Sequence, residues 1–169
     1  INCFTLNDDF LCPNASRLAK LTFLNFSDPF DHSSKITNEG ISNLINLTSL
    51  HIGGNQHITD AVFRHLTNLR VLKFKSNPQI TGACFSNLPN LTSLNLTSNE
   101  TISGSNLSFL TNLRSLTLYE DDLIGDPDLF PLTSLKTLYL GDNENITDAS
   151  LSHLTNLTDL SFEDNEIIT

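Results

Sequence analysis

The residues best suited to ligate a metal or move a proton are five histidines, His32, His51, His57, His65 and His153. None has a C-x-x-C or H-x-x-x-H companion, so no zinc site is expected and no metal or cofactor is assigned. The acidic runs YEDD and FEDNE lack the alternating D-x-D-x-D-G loop that wraps calcium. A G-x-S-x-G elbow, a phosphate-cradling glycine loop and a Cys/His dyad are also missing, so catalysis has no visible machinery and a non-enzyme is expected. Of the cysteines, Cys84 falls at an inward position and reads as a small buried apolar residue. Cys3 and Cys12 are close enough to form a disulfide, or to stay as two free thiols, and the sequence leaves both open.

What remains is binding chemistry, and its placement depends on a repeat. Leu47, Leu69, Leu91, Leu113, Leu135 and Leu157 follow one another at a constant 22 residues. Leu21, Leu24, Phe26, Ile36, Ile41 and Leu44 fit the same frame if about four residues are inserted within SDPFDHSSK. Residues 21–169 therefore form one array: an irregular first repeat, five full 22-residue repeats and a final half-repeat. Residues 1–20, with Phe4, Leu6, Phe10 and Leu11, are long enough to be an amino-terminal cap.

Each unit reads L-x-x-L-x-L-x-x-N, as in LTSLHIGGN, and the pattern resembles the leucine-rich-repeat family over nearly the whole chain. The resemblance implies an α/β right-handed solenoid, or horseshoe, with a concave parallel β-sheet and short helices or turns on its convex side. The I-T-D-A-x-L segment is similar to the cysteine-containing subclass found in F-box ubiquitin-ligase subunits, with Asn where that subclass has Cys. A helical adaptor-binding segment would precede such repeats, and residues 1–20 are too short for one. The 22-residue period also resembles bacterial internalins, and the Asn- and Ile-rich composition resembles repeat proteins of protists and their large DNA viruses.

Position by position, the physics agrees. Alternation at period two buries Leu50 and Ile52 and turns Ser49, His51 and Gly53 outward. The column Asn55, Asn77, Asn99, Asn143 and Asn165 ends each strand, where amides can satisfy backbone groups that the turn leaves unpaired. Asp121 occupies the same column without an amide donor, so Asp121→Asn is expected to stabilise the protein. Thr59-Asp60 and Thr147-Asp148 can cap short helical turns, whereas Pro127 and Pro131 argue against a regular helix in the fourth full unit. Sequons are frequent because the repeat itself spells N-L-T, and Asn99 belongs to the buried column, so they say little about compartment. A slight lean toward an intracellular one is all the sequence gives.

The expected function is that of a scaffold recognising a protein through the concave face, where the outward columns carry His51, Lys73, Lys75, Tyr119, Tyr139, Asp142 and Glu163. Tyr119 and Tyr139, the only tyrosines, fall on adjacent strands and could anchor a partner, or pack on each other. Residues 1–116 hold eight Lys/Arg against seven Asp/Glu, and residues 117–169 one against twelve. A partner with a basic patch would be drawn to the acidic end, unless those acids only keep the chain soluble. The net charge of −10 argues against a nucleic-acid partner, and no apolar run is long enough to span a membrane. The rival expectation is self-assembly, as a homodimer, through an uncapped carboxy-terminal strand around Leu160 and Phe162.

Overall fold

The computed structural model describes residues 7–27, 35–141, 143–162 and 168. Seven strands form one parallel sheet in sequence order: β1 (Phe23–Phe26), β2 (Ser49–Gly53), β3 (Val71–Lys75), β4 (Ser93–Thr97), β5 (Ser115–Tyr119), β6 (Thr137–Leu140) and β7 (Asp159–Ser161). From β2 onward the register advances by one repeat per strand, with Leu50 beside Leu72, Leu94, Leu116, Leu138 and Leu160 in turn. Between β1 and β2 the partners are Leu24 and Leu50, a step of 26 residues. The alternation of branched apolar with polar residues dictates this arrangement, because only a pleated strand sends every second side chain to one face.

Leu50, Leu72, Leu94, Leu116 and Leu138 are buried in a continuous core with the repeat-opening Leu47, Leu69, Leu91, Leu113 and Leu135. Opposite the sheet, each coil makes one short turn: α2 (Asn38–Ser42), 3₁₀ turns at Asp60–Arg64, Ala83–Asn87 and Gly104–Phe109, then α3 (Asp126–Leu129) and α4 (Asp148–Leu151). Upstream, α1 (Asp8–Leu11) packs on α2 and buries Leu11. The hydroxyls of Thr37, Thr59 and Thr147 accept from the backbone two residues on and start their turns. Contrary to expectation, the Pro127 coil contains one turn of α-helix. Pro127 lies in its first turn, where a missing N–H costs nothing, and Asp128 closes the turn by accepting from the Gly125 N–H at 3.0 Å.

Acids and amides at the first position of the short turns tie successive turns together. Asp8 accepts from the Thr37 N–H and hydroxyl (3.0 and 2.6 Å), Asp60 from those of Thr81 (3.0 and 2.8 Å), and Asp126 from those of Thr147 (2.8 and 2.6 Å). Asn38 ties Thr59 in the same way but with one bond reversed, its Oδ1 accepting from the Thr59 N–H at 3.0 Å and its Nδ2 donating to the hydroxyl at 2.8 Å. These bonds hold the Asp60 and Asp126 carboxyls below the usual range although burial pushes the other way. Asp60 also meets Cys84, whose thiol is buried and pushed up by that burial and by the carboxylate. Cys12 is a half-buried free thiol, and Cys3, its candidate disulfide partner, lies outside the described residues.

Candidate functional site

The concave surface is built from outward positions of successive strands, so side chains a full repeat apart become neighbours about 5 Å from each other. His51 in β2 lies beside Lys73 in β3, and Gly53 beside Lys75. Both lysines are exposed; His51 is half-buried, with its ring set edge-on to Phe23 at 5.1 Å and its Nε2 3.3 Å from the Ser49 hydroxyl. Burial, helped by Lys73, lowers the His51 pKa and favours the neutral ring at physiological pH.

Tyr119 is 36% exposed and Tyr139 43%, on β5 and β6. They are not stacked: among the described residues neither takes part in a ring contact. Tyr119 instead lies on Gly141 of the next coil, where an added Cβ would sit 2.5 Å from the ring. Gly141 is buried by that ring, and Gly53 by Ser27, whose Cα would be 2.9 Å from an added Cβ. Both glycines were expected to be outward and open; the neighbouring coil covers them. Asp142, Glu163 and Asn165 lie outside the described residues.

Two rows of asparagines flank the sheet. At the trailing edge, where each strand ends, Asn55, Asn77, Asn99, Asp121 and Asn143 are all buried to 2% exposure or less. The carboxamide oxygen of Asn77 accepts from the Asn55 N–H at 3.2 Å, and that of Asn99 from the Asn77 N–H at 3.1 Å. Their nitrogens donate two residues back, to the Lys75 carbonyl at 2.9 Å and the Thr97 carbonyl at 3.0 Å. Asp121 does half of this. Its Oδ1 accepts from the Asn99 N–H at 3.0 Å, while Oδ2 is buried with no partner. Burial, reinforced by Asp122 and Glu120 against backbone donors from Asn99 and Tyr119, pushes its pKa up to about 7.

The other row lies at the leading edge, where strands begin. Asn46, Asn68, Asn90, Asn112 and Asn156 each donate from the side-chain nitrogen to a carbonyl of the preceding coil, at 2.6 to 3.2 Å, and all five are exposed. Sequence reasoning missed this row. Its signal is the recurring N-L pair, which the sequence shows to be part of the repeat without showing what the amide bonds to.

The turns after β2, β3, β4 and β5 each take a left-handed residue, Gly54 (φ 59°), Ser76 (φ 52°), Ser98 (φ 54°) and Glu120 (φ 57°) in that order. Glu120 accepts from the Ser98 hydroxyl at 2.6 Å and, with Asp122 and Glu144, lines an acidic hollow on the trailing edge. Among the described residues no three His, Cys, Asp or Glu side chains converge as metal ligands would, and no helix is long and apolar enough to cross a membrane.

Comparison with known proteins agrees with this geometry. The leucine rich repeat family model matches residues 45–100, and a second leucine rich repeat model matches residues 132–152. None of the curated proteins matches the chain in sequence. Among solved structures, internalin C2 of Listeria monocytogenes is similar at 27% identity, over 92% of this chain and 76% of that one, with a TM-score of 0.63. The functional domain of InlJ from the same bacterium, described as including a cysteine ladder, is similar at 30% identity and a TM-score of 0.69, over 90% of this chain but 32% of its own. TLR13, solved with ssRNA13, shares the fold at 23% identity and a TM-score of 0.70; this chain spans 24% of its length. With the repeat pattern, the single parallel sheet and these relatives in agreement, the chain belongs to the leucine-rich-repeat family, a family of binding scaffolds.

Proposed function

We propose that the protein captures a protein partner on its concave sheet, with Tyr119 and Tyr139 as anchors and His51, Lys73 and Lys75 as the flanking contacts. The observation that carries this reading is the pair of exposed, unstacked tyrosines on adjacent strands, one already seated on Gly141. A ring held in place before binding loses little entropy on contact, and large aromatics of this kind dominate interface energies. Glu120 and Asp122 lie beside them, which favours a partner whose contacting surface is basic. Asp142 and Glu163 belong to the same proposal by their place in the repeat.

The test is quantitative capture from the native host with wild-type protein and with Tyr119→Ala plus Tyr139→Ala. Alanine at both positions is expected to weaken capture at least tenfold, about 1.4 kcal/mol or more, in a chain that stays folded but melts somewhat lower because Tyr119 also covers Gly141. Equal capture by the double variant would remove the concave face from consideration. A second reading, association of two copies through β7, is favoured by Leu160 and Phe162, which are 40% and 41% exposed. Sedimentation that finds only monomer at high concentration decides against it.

A further inference from the structure

The leading edge of the sheet has a chemistry unlike the rest of the molecule. Immediately after the repeat-opening leucine comes a column whose members include the exposed Arg70, Arg114 and Lys136 and the half-buried Thr92. These residues line a groove of about 440 Å³ that runs along the array, and a second hollow of about 490 Å³ continues it past Arg70 to Lys20. Four of the nine Lys/Arg of the chain thus border one continuous surface, and among the described residues no Asp or Glu does. In a protein of net charge −10 such segregation sets the local field, because charges more than about 10 Å away are screened at physiological salt.

Among the described residues none bonds to the side chains of Arg70, Arg114 or Lys136, so their donors face solvent. Arg114 and Lys136 are on adjacent coils, about 5 Å apart by strand spacing, and Arg70 is two coils, about 10 Å, further on. Between them the amides of Asn90, Asn112 and Asn156 spend their nitrogens on backbone carbonyls, which leaves their oxygens as acceptors. The groove therefore offers cations at intervals of one or two coils, with neutral acceptors between.

We propose that this leading-edge groove binds an anionic polysaccharide, its sulfate or carboxylate groups held by Arg70, Arg114 and Lys136 and its hydroxyls donating to the intervening asparagines. Guanidinium groups match oxyanions with paired donors, and sugar hydroxyls match the free amide oxygens. A single-stranded nucleic acid fits worse, because no aromatic side chain lines the groove for bases to stack on. An acidic peptide fits worse as well: the Arg70 backbone already bonds to Thr48, Thr92 and Ser93, so no strand can be added there, and no apolar pocket awaits a side chain. This surface is separate from the concave face and stands or falls independently of it.

The experiment measures binding of heparin, polygalacturonate, neutral dextran, polyglutamate and oligodeoxythymidine at low salt. It compares wild type with the triple variant Arg70→Thr, Arg114→Thr, Lys136→Thr and with the control Lys35→Thr, Arg64→Thr. Threonine already occupies this column at Thr48, Thr92 and Thr158, so the triple variant is expected to fold with an unchanged melting temperature. Heparin or polygalacturonate should bind wild type and control alike, dextran should not bind, and the triple variant should lose at least tenfold. The slope of log affinity against log salt should fall by about two to three, the number of cations removed. Failure of both anionic polysaccharides to bind, or equal loss in the control, or undiminished binding by the triple variant would overturn the proposal. Binding of polyglutamate or oligodeoxythymidine as tight as that of the polysaccharides would replace it with an acidic-peptide or a nucleic-acid reading.

Discussion

The two edges of the sheet use the same residue for the same purpose and differ in one respect. At both, asparagine nitrogens donate to backbone carbonyls, with Asp121 interrupting the trailing row and Ser134 the leading one, but the trailing row is buried and the leading row is exposed. Water can replace any bond that the leading row loses; it cannot reach the trailing row. The same side chain is therefore expected to be worth little on one edge and much on the other. The charges divide along the same line, with Lys20, Arg70, Arg114 and Lys136 on the leading edge and Glu120, Asp122 and Glu144 on the trailing edge.

The largest effect should come from emptying a buried position. Asn77→Ala removes the acceptor of the Asn55 N–H and one of two donors to the Lys75 carbonyl, which keeps the Gly54 N–H, and chemical denaturation should find a loss of about 2–3 kcal/mol. Asn90→Ala, its counterpart on the leading edge, should cost under about 1 kcal/mol. Equal costs would break the comparison.

Asp121 sharpens it. Because its folded pKa is raised to about 7 from an unfolded value of about 4, the folded state holds the proton more tightly. The stability contributed by that proton is complete below about pH 4, declines between about 4 and 7, and is gone above the folded value. Asp60 and Asp126, whose pKa values are lowered, act in the opposite sense, and their contribution fades only as pH falls through their folded values. Asp121→Asn restores a donor at the position of the unpartnered Oδ2 and should stabilise the protein by about 1–2 kcal/mol at pH 8, with little gain near pH 4. A melting-temperature difference between variant and wild type that does not change across this range would contradict the assignment.

The smallest effect concerns the trailing-edge turn. Ser76 holds φ at 52°, a region costly for any side chain, so Ser76→Gly should gain about 0.5 kcal/mol after the entropy of glycine is set against the relief. A loss instead would mean that the left-handed turn is not strained there.

Much of this fold could be read from the leucine columns, because burial of every second strand residue leaves a period that survives in the sequence. The coils match solved leucine-rich-repeat structures, as the L-x-x-L-x-L-x-x-N unit led one to expect. What could not be read depends on neighbours a full repeat away. Gly53 and Gly141 fall at outward positions yet are buried, since Ser27 and Tyr119 of preceding coils lie over them. Pro127 argued against helix by type, but its position in a first turn reversed the outcome. The charge division was sought along the chain, between its first two thirds and its last; in space it also runs across the strands, so that Arg114 and Lys136 join Arg70 on one edge.

The acid–threonine ties on the convex side have a mechanical consequence. Asp8–Thr37, Asp60–Thr81 and Asp126–Thr147 join neighbouring coils in separate pairs, and each bond between coils in the asparagine rows likewise crosses a single junction. No such tie spans three coils, so a pull along the axis loads one junction at a time. The molecule should part like a zip, with successive force drops of similar size, rather than like a knot that holds until it fails everywhere at once.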